Sequence, residues 1–166
     1  MTAPSELDAV FTRLFPKLVG MLSLYCGDRW VAEEIAQGSL ARLWEQQRAS
    51  EIESPDAWTY RVAMNLANSW LRRRLIERRV RASIGRASEQ ADAPDADDVI
   101  AVRAALQRLP RRQREAVVLR YYADLSVDAT AAVMGCAPGT VKIHSHRALA
   151  EIGRTCSIDE MESADG

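Results

Sequence analysis

Residues 83–98, SIGRASEQADAPDADD, interrupt the apolar rhythm of this chain, and that interruption is what most constrains its fold. On both sides apolar residues recur at three- and four-residue steps, the spacing of a helix face. Before it come Leu7, Val10, Phe11, Leu14, Phe15, Leu18, Met21, Leu22 and Tyr25, then Val31, Ile35, Leu40, Leu43 and Trp44, then Trp58, Val62, Leu66 and Ser69. After it come Val99, Val102, Ala105, Leu106 and Leu109, then Ala116, Val117, Leu119 and Tyr121 or Tyr122. No segment shows convincing strand alternation, and no repeat is visible. The expectation is an all-α chain of two small helical modules joined by a flexible linker. The boundaries expected are 1–82 for the first module, 83–98 for an acidic linker, 99–155 for the second module and 156–166 for a disordered acidic tail. A length of 166 residues suffices for two small domains.

Local signals place the helix ends. Ser5 and Asp8 resemble a capping box, and Pro16 is expected to kink or split the first helix. Gly27 reads as a stop and Asp28 as the next N-cap. Gly38 costs the second helix about 1 kcal/mol relative to Ala. Ser54, Pro55 and Asp56 suit the cap, first position and positive end of a third helix.

The net charge of −1 conceals strong segregation. Residues 61–87 hold eight Arg against one Glu, and residues 99–154 hold nine basic against four acidic side chains. Between them, residues 88–98 hold five acids and no base. Phosphate would therefore be attracted to two separate segments, not to the whole surface. Cys26, Cys136 and Cys156 are too few and too dispersed for a disulfide framework; a redox-sensing role is the alternative, set against the apolar patterns in which two of them fall and read as core. The start of the chain lacks a basic segment followed by an apolar one, and no continuous apolar run reaches the roughly 18 residues that span a bilayer. A cytoplasmic location with no membrane association is expected. No paired nucleophile and base, phosphate-cradling Gly loop or metal cluster is visible, so neither an enzyme, a cofactor nor a metal site is expected.

Residues 125–152 have helix-turn-helix proportions. Ser126 can cap a short helix carrying Val127, Ala131 and Val133. Gly135 falls at the turn, and Pro138 begins a second helix. On that helix Val141, Ser145, Ala148, Leu149 and Ile152 cluster inward. Gly139, Thr140, Ile143, His146 and Arg147 lie opposite, with Lys142 and His144 on the flanks. Small inward residues with a mixed polar, cationic outer face fit a helix that reads base edges and contacts phosphates. The plainer alternative is an amphipathic helical hairpin. His144 and His146, two residues apart, point in different directions and would not share a metal. The Arg run from Arg72 to Arg81 has its own plain reading as a solvated helix end. Trp58, Tyr60 and Trp70 nearby suit unstacked bases, although Trp58 reads as core and the other two stay open.

Four stretches taken together resemble a known family: VAEEIAQGSLARLWEQ at 31–46, SPDAWTYRVAMNLANSWLRRR at 54–74, LQRLPRRQREAVVLRYYADLS at 106–126 and MGCAPGTVKIHSHRAL at 134–149. In this order and spacing the chain is similar to bacterial extracytoplasmic-function sigma factors, minimal initiation subunits of RNA polymerase. The resemblance implies a region-two module, a linker and a region-four module, binding core RNA polymerase and promoter DNA and promoting strand opening. It assigns Glu33, Glu34, Gln37 and Arg42 to a grip on the β′ coiled coil. Asn65, with loop 47–54, falls to capture of a flipped minus-ten base. Arg72, Arg73 and Arg74 fall to the duplex just upstream. The helix from Pro138, with Gly139, Thr140, Lys142, Ile143, His144, His146 and Arg147, falls to the minus-thirty-five element, and the surface from Leu109 to Tyr122 to the polymerase β flap. An inhibitory anti-sigma partner is also implied, though no residue identifies one.

The chain departs from the family at Ala137, where a capping residue is usual, at Thr130, where Ile or Val is common, and at Gly38. Ile143, His144 and His146 are an uncommon outward set. A free-standing helix-turn-helix regulator is the alternative reading, and a helical adaptor without a DNA role is a third.

Overall fold

In the computed structural model the backbone is described for residues 4–85 and 97–164, and side chains for 6–85 and 99–155. Among these residues the elements are α1 (Pro4–Cys26), α2 (Arg29–Ala49), α3 (Pro55–Ile84), α4 (Asp97–Arg108), α5 (Arg111–Val117), a π-helical turn (Val118–Tyr122), α6 (Val127–Met134) and α7 (Pro138–Ala164). No strand occurs among them.

The first bundle is α1 to α3. Leu14, Leu18, Met21, Leu22 and Tyr25 of α1 are buried against Ala32, Ala36, Leu40 and Leu43 of α2 and against Ala63, Met64 and Ala67 of α3. Each large side chain so buried contributes about 1.5–3 kcal/mol. Small residues on α2 and α3 let their backbones approach α1. Asp28 caps α2, accepting from Val31 N at 3.1 Å, as expected. Ser54 precedes α3 at the cap position but makes no side-chain cap bond. Arg13 instead reaches across from α1 and grips the Asp56 carboxylate with two bonds of 2.6 and 2.8 Å. That bond raises the Arg13 pKa.

Several expectations are corrected. Pro16 does not split α1, which runs on to Cys26. Because α1 starts at Pro4, Ser5 lies inside the helix instead of capping it. Glu6–Cys26 is long and apolar enough by length and composition to cross a membrane, although interrupted by Arg13 and Lys17. In the fold it is the central helix, with its inward side buried. Trp44 is 49% exposed, because the seam of α2 passes through Ile35, Ser39, Leu40 and Leu43 and leaves Trp44 at its edge. Its ring carries the Arg48 guanidinium 4.9 Å from its centroid. On α3 the fully buried stripe is Thr59, Tyr60, Ala63, Met64 and Ala67, while Trp58, Val62, Leu66 and Trp70 are half-buried beside it. Val99 and Val102 of α4 and Leu149 of α7 are exposed. The backbone of α7 stays helical to Ala164, so the tail expected to be disordered continues a helix. Gly85, with φ of 75°, closes α3 inside the expected linker, and residues 86–96 lie outside the described residues.

The second bundle is α4 to α7, with α5 and α6 packed on α7. It does not stand apart from the first. The π turn and α4 pack on α1, and α6 packs on α3. One continuous apolar cluster joins Leu18 and Tyr60 to Val118, Leu119, Val133 and Val141. Three polar and steric contacts fix the join. Gln107 Nε2 donates to Leu24 O at 3.0 Å, and Arg114 donates to Tyr25 O at 2.9 Å. These carbonyls end α1, whose last turn has no basic residue of its own. The third contact is Tyr122 on Gly20: a Cβ there would sit 1.8 Å from the Tyr122 hydroxyl, so only glycine admits the ring as placed. The two modules are thus docked on each other, not held apart on a tether.

Candidate nucleic-acid and partner interfaces

The turn between α6 and α7 is built by local chemistry. Ser126 accepts from Ala129 N at 3.0 Å and caps α6. Gly135, with φ of 65°, ends α6 in the left-handed region that glycine enters without strain. Pro138 then begins α7. Arg112 donates to Met134 O at 3.1 Å, satisfying a terminal carbonyl of α6, and also binds Glu115 at 3.0 Å. Glu115 is 1% exposed, and Arg111 approaches the same carboxylate at 3.6 Å. This buried acid therefore orients the helix pair from beneath. The role of Glu115 is absent from the sequence reading, because a lone acid in a basic stretch carries no local signal.

On α7, Val141, Ser145 and Ala148 are buried and Ile152 is half-buried. Gly139, Lys142, Ile143, His146 and Arg147 are exposed, and Thr140 and His144 are half-buried. Leu149 is 45% exposed, contrary to the inward assignment, because it lies one residue beyond Ala148, past the edge of the seam. The outer face is thus contiguous, open and cationic.

The residues of α2 divide between two faces. Glu33, Glu34 and Gln37 share one side, and all three reach solvent. Trp30, 78% exposed, extends that side by one turn; the sequence reading missed it. Arg42 follows Glu33 by nine residues, about 180° around the helix. It lines a separate hollow of about 350 Å³ with Glu45, Gln46, Trp58, Val62 and Asn65. The structure thus turns Arg42 about 180° from Glu33 and about 140° from Gln37, though only about 80° from Glu34, and brings it to Asn65. A half-buried indole, a guanidinium and a carboxamide around a hollow of this kind can hold a flat heterocycle.

Further along α3, Arg72 and Arg73 are exposed and Arg74 is half-buried. The Arg74 guanidinium stacks on Trp70 at 4.9 Å. Tyr60 is core, and its pKa is raised by burial first and then by Asp56. The surface from Leu109 to Tyr122 is only partly available: Leu109 and Glu115 to Leu119 are buried, and the π turn is seated on α1. Burial pushes the Cys26 thiol up to about 12 and raises Tyr25 further still. Tyr25 donates to Asn68 Oδ1 at 2.5 Å. Among the described residues no cluster of three or more His, Cys, Asp or Glu could hold a metal.

Comparison with known proteins matches two family models, Sigma-70 region 2 over residues 10–75 and Sigma-70, region 4 over residues 100–152. The RNA polymerase sigma-E factor of Streptomyces antibioticus is 30% identical over 135 residues, covering 81% of this chain and 72% of that protein. The ECF RNA polymerase sigma factor EcfG of Rhodopseudomonas palustris is 31% identical over 136 residues, covering 80% of this chain and 72% of its own. Among solved structures, the sigma factor RpoE of Bartonella quintana, in complex with the anti-sigma factor NepR, superposes with a TM-score of 0.78 at 27% identity. It covers 93% of this chain and 98% of its own.

Proposed function

The chain belongs to the extracytoplasmic-function RNA polymerase sigma factors, and from that premise we propose how its surfaces divide the work of promoter recognition. The helix α7 enters the major groove of the minus-thirty-five element with Gly139, Thr140, Ile143, His146 and Arg147 toward the bases and Lys142 toward phosphate. His144 sits at the flank. The hollow formed by Arg42, Trp58 and Asn65 receives an unstacked base of the minus-ten element. Stacking on an aromatic side chain is worth about 1–3 kcal/mol per base, comparable to the few kcal/mol that unstacking costs. Capture there favours strand opening without any bond made or broken by this chain. Arg72, Arg73 and Arg74 follow the phosphates of the adjoining duplex, and Glu33, Glu34 and Gln37 face the β′ coiled coil.

The observation that carries this reading is that two separated surfaces, a groove-reading helix and a base-sized hollow, coexist on one small chain. A regulator that only binds duplex DNA has no use for the hollow. Residues 1–82 and 99–155 are the two working modules in this proposal. An anti-sigma factor is proposed as a further partner, because RpoE, whose fold covers nearly all of this chain, is in complex with one. The test is to mix the purified chain with core polymerase and a promoter library and sequence the transcripts. Initiation from a defined promoter class is expected. Duplex binding without polymerase and no transcripts would overturn the reading in favour of a free-standing regulator.

A further inference from the structure

A cleft of about 670 Å³ lies where the two modules meet, walled by the end of α1, the middle of α3, α4 and the start of α5. Six guanidinium side chains line it: Arg72, Arg74 and Arg78 from α3, Arg103 from α4, and Arg111 and Arg114 from α5. No Asp or Glu lines it among the described residues. Leu71, Leu75 and Ile100 form an apolar patch on its wall.

The arginines are not idle. Arg111 shares Glu115, Arg74 stacks on Trp70, and Arg74, Arg78 and Arg103 have further contacts. Arg114 donates to Tyr25 O at 2.9 Å and to Gln107 Oε1 at 2.8 Å, yet its Nε is buried without a hydrogen-bond partner. Burial also lowers the Arg114 pKa. Guanidinium groups around one void repel each other at separations within a Debye length, about 8 Å at physiological salt. An anion relieves that repulsion, and the planar fork of arginine matches phosphate oxygens. One phosphate cannot meet six guanidiniums distributed over three helices, whereas a chain of phosphates can. The apolar patch suits a flat ring attached to that chain. The volume lies within the roughly 300–1,000 Å³ typical of small-molecule sites. A protein helix, about 10 Å across, would set its apolar face on charged groups.

We propose that this cleft binds a nucleoside polyphosphate, with the phosphates between the arginines of α3 and those of α4 and α5 and the base against Leu71, Leu75 and Ile100. Its walls belong to both modules, so the ligand holds them docked. The effect of that docking on initiation rests on the sigma-factor reading; the binding itself does not.

The experiment is isothermal titration of the full chain with ATP, GTP and inorganic tripolyphosphate at about 0.15 M salt. Saturable 1:1 binding is expected, about tenfold tighter for a nucleotide than for tripolyphosphate. Arg103→Gln should weaken it about tenfold. Ile100→Asp, at an exposed position that leaves the core intact, should abolish the preference for nucleotide over tripolyphosphate. A saturating nucleotide at about 100 times its Kd should raise the Tm by about 5–10 °C. Absence of saturable binding, equal affinity for tripolyphosphate, or insensitivity to both variants overturns the proposal. So does tighter binding of a short poly-glutamate peptide, which would make the cleft a seat for an acidic protein segment. Promoter-directed initiation is scored in a separate reaction, so absence of nucleotide binding by the unmodified chain with initiation intact refutes the cleft alone.

Discussion

At the scale of single residues, the division of α2 makes a sharp prediction. Gln37→Ala should weaken affinity for core polymerase several-fold and leave promoter opening per bound complex unchanged. Arg42→Ala should do the reverse. Polymerase affinity by fluorescence anisotropy and opening by permanganate footprinting separate the two. On α7, Arg147→Ala should reduce promoter use and spare polymerase binding, because an exposed side chain on the outer face touches nothing that holds the module together. A lost base contact is worth about 1–3 kcal/mol, so template competition should show a roughly five- to hundredfold preference for the unmodified protein. Cys26 tests the interior. Burial above all pushes its pKa up from the ordinary thiol range to about 12. The unfolded chain ionises first as pH rises, so the contribution to stability is complete below pH 9 and declines as pH climbs toward 12. Urea titrations should show that decline. Iodoacetamide at neutral pH should leave Cys26 unmodified in the folded chain, as peptide mapping can show.

At the scale of elements, the helix pair α6–α7 is legible in the sequence because its determinants are local. Ser126, Gly135 and Pro138 act within a few residues of themselves, and Val141, Ser145 and Ala148 follow from helical period. The same holds for Asp28 at the start of α2. The misses share a different cause. Trp44 and Leu149 sit one residue beyond a buried seam, and only the neighbouring helices decide where a seam ends. Tyr122 is placed by a π turn, closed by the bond from Ala123 N to Val118 O at 3.0 Å, and no apolar pattern announces such a turn. The neighbourhood of Arg42 with Asn65 is equally hidden from the sequence, because it depends on how α2 packs against α3. Thr130 offers a test within this pair. It is fully buried in α6, and its hydroxyl has no hydrogen-bond partner. Thr130→Val keeps the shape and removes the unsatisfied group, so unfolding free energy should rise by about 1–2 kcal/mol. Chemical denaturation of the full chain measures it.

At the scale of the molecule, docking of the two modules is the feature no local pattern could show. Gln107 and Arg114 lie more than eighty residues from the carbonyls they bind. The docked form does not bury the cationic surfaces, since Arg72, Arg73, Arg78, Arg79, Lys142 and Arg147 all remain exposed. It does occupy much of the surface between Leu109 and Tyr122 that resemblance allots to the polymerase flap. Gly20→Ala should displace the Tyr122 ring and loosen the join. Small-angle scattering should then report a larger radius of gyration, and core polymerase should be bound at lower protein concentration, because a larger fraction of the chain is already open. An unchanged radius together with unchanged affinity would count against the docked form as a competitor of polymerase.

The end of α1 adds little to how firmly that docked form is held. When the modules part, the carbonyls of Leu24 and Tyr25 exchange an amide and a guanidinium for water, and the net worth of each such bond is only about 1 kcal/mol, or up to roughly 3 where the donor is charged. Separation therefore trades one set of donors for another without leaving a bare helix terminus. What holds the clasp shut is therefore the apolar seam that runs from Leu18 and Tyr60 to Val118 and Leu119, and a surface that grips both halves in their spread positions has to offset chiefly the exposure of that seam.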